Sequence, residues 1–154
     1  MARPVDLMGA GLTAAAFLSI FVGAKCIEEG VCFKPISLAT GFTKFCAWMI
    51  LFGTLVVGAF TVQSFLGNSF IPVLTTKTNG FVGGFVALFE VIMFLTFVAG
   101  SDYKGAGFGF GLIVQLVAAG LGGAHCFFSL KAEDEGDNSG SAAPPSNPIA
   151  ESSI

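Results

Sequence analysis

The sequence predicts an all-α membrane protein, a four-transmembrane-helix antiparallel bundle followed by a disordered acidic tail. Three observations lead there. Four apolar stretches, Leu7 to Ile27, Phe45 to Leu66, Phe81 to Gly100 and Phe108 to Leu130, fill most of the 154 residues. Each has the ~20 residues needed to cross ~30 Å of hydrocarbon at ~1.5 Å per residue. Hydrophobic residues make up 54% of the chain and charged residues only 11%, against ~25% charge in an ordinary globular domain. Each stretch is also greasy on every face, which a water-soluble helix is not.

The charge is unevenly placed. Glu133, Asp134, Glu135, Asp137 and Glu151, half of the 10 acids, follow Leu130, so the membrane part is near neutral and the acidity belongs to the tail. No basic patch points to nucleic acid. Met1 to Asp6 is short and the run after it is long enough to stay in a bilayer, so the first helix is expected to act as a signal anchor.

The first helix, about 7–27, ends where Lys25, Glu28, Glu29 and Gly30 appear. Pro35 then precedes the second, about 45–66, because residues before proline avoid helical geometry. Lys44 can snorkel to the headgroup layer. Gly67, Asn68, Pro72, Asn79 and Gly80 punctuate the connection to the third helix, about 81–100. Ser101 to Gly107 is a short loop, so the third helix and the fourth, about 108–130, should be antiparallel neighbours. The membrane domain thus covers 1–131. From Ala132 to Ile154 the chain is rich in Glu, Asp, Gly, Ser, Pro and Asn and should stay disordered. Four crossings put both termini on one side. Arg3, Lys77 and Lys131 against Lys25, Lys34, Lys44 and Lys104 do not decide which side; an acidic Ser/Pro tail with cytosolic partners favours cytosolic termini.

Helices in lipid associate through close packing and hydrogen bonds. Gly11, Ala15, Ser19 and Gly23 recur every four residues on the first helix, and Gly111, Gln115, Ala119 and Gly123 on the fourth, and both rows are expected to face the bundle. Gly83 and Ala87 share a face with Glu90. An ionised Glu90 at mid-bilayer costs ~3 kcal/mol or more, so it should point inward as the neutral acid, with Gln115 or Thr54 as partner and Ser19 at a nearby depth. His125 lies too far along the axis to reach Glu90, and Gln63 is the partner expected for it. Two readings of Glu90 stand. It is a proton or ion site or a lipid-headgroup or sterol contact, or it is a buried acid that specifies packing. The lack of a second mid-membrane acid favours the latter.

Cys26 and Cys32 flank the first loop and could pair as a small-ring disulfide if that loop is luminal. Cys46 and Cys126 sit near helix ends, as filler or as palmitoylation sites. One His and scattered cysteines do not make a metal or haem centre. The run Gly107-Phe108-Gly109-Phe110-Gly111 lacks a preceding strand and is no phosphate cradle. No catalytic residues, metal or cofactor are therefore expected. Ser152-Ser153-Ile154 has the form of a PDZ-binding end.

His125, Phe128, Ser129, Leu130 and Lys131 resemble the His-x-x-Phe-Ser-Leu plus basic ending of the fourth helix in the MARVEL superfamily, which includes the MAL, plasmolipin, synaptogyrin and synaptophysin groups. Ile20, Phe21, Gly23 and Glu29-Gly30 are faintly similar to the exit of the first helix in synaptogyrins, and the acid-bearing helix around Glu90 is similar to that of MAL. Loop cysteines of the synaptophysin type and the usual aromatic pattern of the first helix are not matched. The resemblance implies a non-enzymatic protein with cytosolic termini that organises vesicle or plasma membranes. Trafficking, membrane apposition or sterol-rich domains would be its setting, with membrane lipid, a sterol, further copies of itself or a larger membrane assembly, and cytosolic proteins on the tail as partners. The competing readings are a small ion- or proton-translocating protein centred on Glu90 and an accessory subunit of a membrane complex.

Overall fold

The computed structural model describes residues 4–26, 32–38, 41–67, 75–99 and 107–139. Helix α1 (Pro4–Phe21) is followed by strands β1 (Lys25–Cys26) and β2 (Cys32–Phe33) and a single turn, α2 (Pro35–Leu38). Helices α3 (Gly41–Leu66) and α4 (Thr76–Ala99) come next, then β3 (Gly107–Phe108) and α5 (Phe110–Ser139). Four of these helices are long and apolar enough to cross a membrane.

The four long helices form a ring. Helix α1 packs on α3 and α5, and α4 packs on the same two, so α1 and α4 face each other across the diagonal. Leu12, Ala16, Ile20, Ile50, Val57, Val86, Met93 and Ala118 fill the centre. The outer surface carries Phe17, Phe52, Phe81, Leu88, Leu116 and Phe127, each at least 40% exposed. Large apolar side chains all round a molecule are an unstable surface in water.

Several helix ends differ from those expected. Helix α1 stops at Phe21, not Ile27, because the chain turns into strand pairing: Lys25 lies opposite both Phe33 and Phe108, and Cys26 opposite Cys32 and Gly107. The glycines around β3 make this close approach possible. The Gly109 N–H donates to the Ala24 carbonyl and the Gly111 N–H to that of Gly23, both at 2.9 Å. A Cβ on Gly111 would lie 2.7 Å from two backbone oxygens. Helix α4 starts about a turn before Phe81, where Thr75 Oγ1 accepts the Thr78 N–H as an N-cap. Asn79 and Gly80, expected in the connection, are therefore helical. Helix α3 ends at Gly67, whose φ of +68° is the left-handed close that glycine tolerates.

The expected tail begins at Ala132, yet α5 runs on to Ser139. A helix already nucleated needs only propagation, and Lys131, Ala132, Glu133 and Glu135 are good helix formers. Residues 140–154, with the PDZ-like end, lie outside the described residues.

Candidate functional site

The small-residue rows expected on the first and fourth helices are only partly the packing faces. On α1 the buried positions are Val5, Asp6, Gly9, Leu12, Ala16, Ser19 and Ile20. Gly11 meets Leu121 at its margin, Ala15 is partly buried, and Gly23 lies beyond the helix. On α5, Gly111 and Gln115 are buried, but Ala118 and Gly122 replace Ala119 and Gly123 thereafter. A strict four-residue step overshoots the 3.6-residue turn by about 40° each time, so a straight interface must alternate steps of three and four.

This alternation brings polar groups inward in two layers. The first lies toward the start of α1. Ser64 Oγ donates to Asp6 Oδ1 at 2.7 Å, and Asn79 Nδ2 lies 2.9 Å from His125 Nε2. The His125 ring sits between two glycines: a Cβ on Gly9 would meet its Cε1 at 3.3 Å, and one on Gly83 its Cδ2 at 2.6 Å. Gly80 makes the same room for Ser129. The partner of His125 is thus Asn79, not the half-buried Gln63. An earlier start to α4 turns Asn79 from a loop residue into a core residue.

The second layer holds Ser19, Glu90, Gln115 and Thr54, none more than 1% exposed. Ser19 Oγ lies 2.5 Å from Glu90 Oε1 and 2.7 Å from the Ala16 carbonyl oxygen. Neither Gln115 nor Thr54 therefore supplies the bond to Oε1; the partner comes from α1, across the diagonal. Their depths still agree. From Gly23 against Gly111, four residues back along α1 and four on along α5 bring Ser19 level with Gln115. From Gly58 against Thr13, the same step brings Thr54 level with Phe17. Glu90 Oε2, Thr54 Oγ1 and both amide atoms of Gln115 are buried and have no hydrogen-bond partner.

Between the layers, on all four helices, lie Leu12, Ala16, Val57, Val86 and Ala118, each fully buried. Asn79 and Glu90 are eleven residues apart on α4, or about 16 Å along the axis. This separation keeps His125 away from Glu90. Asp6, Asn79 and Ser129 belong to the polar interior but escape a reading of the sequence, since each lies at the end of an apolar run, where polar residues are common. Only the depth of burial distinguishes them.

At the end carrying the strands, Cys26 and Cys32 are joined by a disulfide with their Cα atoms 4.0 Å apart. The Lys25 ammonium lies over the Phe108 ring, 4.4 Å from its centroid, a cation–π contact. Cys46 is buried in the apolar core and Cys126 is half-buried, with its sulfur packed toward Gly84. Among the described residues no three His, Cys, Asp or Glu side chains converge as a metal site. Two apolar grooves open on the outer surface. One, of about 590 Å³, lies between α1 and α3 on a floor of Ala10, Ala14 and Gly58. The other, of about 560 Å³, lies between α4 and α5 and includes Phe108.

Comparison of the chain with protein-family models, with curated proteins and with solved structures gives no match.

Proposed function

We propose that this protein is a non-enzymatic, multi-pass membrane protein that organises vesicle or plasma membranes, built as an antiparallel four-helix bundle across the bilayer. The observation that carries this reading is the interior. Its polar groups form two layers separated by a sealed apolar layer of Leu12, Ala16, Val57, Val86 and Ala118. A translocation path needs polar groups or water in sequence along the axis, and this layer interrupts one. The chemistry is turned outward instead, as an apolar face with grooves of about 560 and 590 Å³ suited to lipid or sterol.

Antiparallel packing is supported by contacts whose numbers run in opposite directions: Gly80 meets Ser129, Gly83 meets His125, and Gly122 meets Ala87. The Cys26–Cys32 disulfide supports an orientation. Disulfides persist in oxidising compartments, so the strand-bearing end is luminal or extracellular and the two termini are cytosolic. The resemblance of His125, Phe128, Ser129 and Leu130 to MARVEL proteins agrees with both points. Further copies of this chain, or a larger membrane assembly, are the partners this reading entails.

The test is reconstitution of the full chain into sterol-containing liposomes. The expected result is proton and cation flux no greater than in protein-free liposomes, with saturable labelling by a photoreactive sterol. A flux that Glu90→Gln abolishes without loss of assembly overturns the proposal in favour of transport. Recovery from mild detergent only as a fixed-stoichiometry component of a larger enzyme overturns it in favour of an accessory subunit.

A further inference from the structure

We propose that Ser19 and Glu90 form a proton-holding site in the centre of the bundle, in which Glu90 is the donor: its carboxyl O–H bonds to Ser19 Oγ, and Ser19 in turn donates to the Ala16 carbonyl.

The number of protons available fixes the direction of these bonds. Ser19 Oγ makes two short contacts, 2.5 Å to Glu90 Oε1 and 2.7 Å to the Ala16 carbonyl oxygen. A carbonyl only accepts, and an ionised carboxylate only accepts. Two such bonds need two protons, and a hydroxyl has one. A proton shared between both acceptors would be misaligned for at least one of them, and both distances are at or below the usual ~2.7–2.8 Å of O–H···O bonds. A protonated Glu90 supplies the missing proton. The serine then uses one lone pair to accept and its hydrogen to donate, and each oxygen is in its ordinary role.

The surroundings agree. Glu90 and Ser19 are both fully buried. A buried carboxylate needs a cation or several donors to replace water. The groups facing this level from α3 and α5 are Thr54 and Gln115, both uncharged. Lys25, beyond the end of α1, directs its ammonium at the Phe108 ring, and His125, ten residues along α5, is engaged by Asn79. The bond also spans the diagonal from α1 to α4, a long-helix pair with little other contact. The proton therefore joins two helices that barely touch. Glu90 holds this proton whether the protein organises membranes or transports ions.

The test is infrared difference spectroscopy of the full chain in lipid nanodiscs near neutral pH, with glutamate labelled at the side-chain carboxyl carbon. The expected wild-type signal is the C=O stretch of a hydrogen-bonded carboxylic acid that shifts on isotope labelling and is lost in Glu90→Gln. In Ser19→Ala, which keeps Glu90, the band should move to higher frequency as the acceptor is lost. A paired carboxylate signature in place of the acid band overturns the proposal, and Ser19→Ala alone can reveal it if Glu90→Gln fails to assemble. An acid band that Ser19→Ala leaves unmoved overturns the assignment of Ser19 as acceptor.

Discussion

Gly122 and Gly123 are adjacent on α5, chemically identical and at the same depth, and they should respond oppositely to alanine. Gly122 is buried; Gly123 is exposed with nothing within 4 Å of a Cβ placed there. At Gly122 that Cβ would lie 2.8 Å from the Gly83 carbonyl oxygen and 2.9 Å from Ala87 Cβ, against 3.4 Å for the shortest ordinary contact, a shortfall of 0.6 Å. Neither neighbour can retreat by a rotamer change, since one is backbone and the other the root of a side chain. The helices must separate, and close approach is what drives association in lipid.

The pair also isolates the term of interest. Both substitutions gain the same helix propensity, up to about 1 kcal/mol, so it cancels in the difference. What remains is overpacking, about 1–3 kcal/mol, or a ratio of folded to unfolded protein lower by about 5- to 150-fold in Gly122→Ala than in Gly123→Ala. Reversible unfolding of the full chain in mixed micelles, at a protein concentration low enough to keep it monomeric, measures this. If Gly122→Ala proves as stable as Gly123→Ala, the α4–α5 register described above is wrong.

Other substitutions test the remaining contacts. Asn79→Ala should destabilise the fold by about 1–3 kcal/mol, because it leaves the buried His125 Nε2 without its partner; chemical denaturation in micelles measures the loss. Without reductant, thiol titration of the denatured full chain should count two of its four cysteines, and all four after reduction. In the folded protein, Cys126 should react before the buried Cys46. Cys26→Ser should lower stability by about 2 kcal/mol, the loop-entropy value for a bridge closing so short a ring, with the amides of β1 exchanging faster with solvent. A smaller change would mean that the strand pairing holds without the bridge.

The four spans and the inward-facing Glu90 are legible in the sequence because length and hydropathy are properties of single segments. The rotation of each helix is not. Among helices greasy on every face, apolar periodicity cannot tell the bundle side from the outside, and small residues are the remaining guide. Choosing a strict four-residue row then selects Gly123 over Gly122. The turn at Phe21 is hidden for another reason. Val22 to Ala24 is as apolar as the helix before it, and only the pairing of Lys25 and Cys26 with Cys32 and Phe33 and, far along the chain, with Gly107 and Phe108 turns the chain into strand. Asn79 escapes because the Thr75 cap starts α4 before its apolar run begins.

Three interhelical side-chain bonds among the described residues are placed where few could do the most. Asp6–Ser64 joins α1 to α3, Ser19–Glu90 joins α1 to α4, and Asn79–His125 joins α4 to α5. Three links are the fewest that can connect four helices into one body, and these connect all four. Their energy is not the reason to have them, since interhelical hydrogen bonds in membranes average only about 0.6 kcal/mol. Their value lies in register. Apolar helices can slide past one another and still be greasy on every face, so packing alone discriminates weakly between neighbouring arrangements. A slip of one turn, about 5.4 Å, would break the bond and leave a carboxyl, an amide or an imidazole facing hydrocarbon. Replacing Ser19 and Glu90 together by Ala and Leu should therefore leave the helix content intact while loosening the α1–α4 alignment. Disulfide cross-linking of engineered cysteine pairs, placed in register and one turn out of register, should then form both products where the unsubstituted bundle forms only the first. Equal selectivity in the two proteins would mean that steric packing alone sets the register.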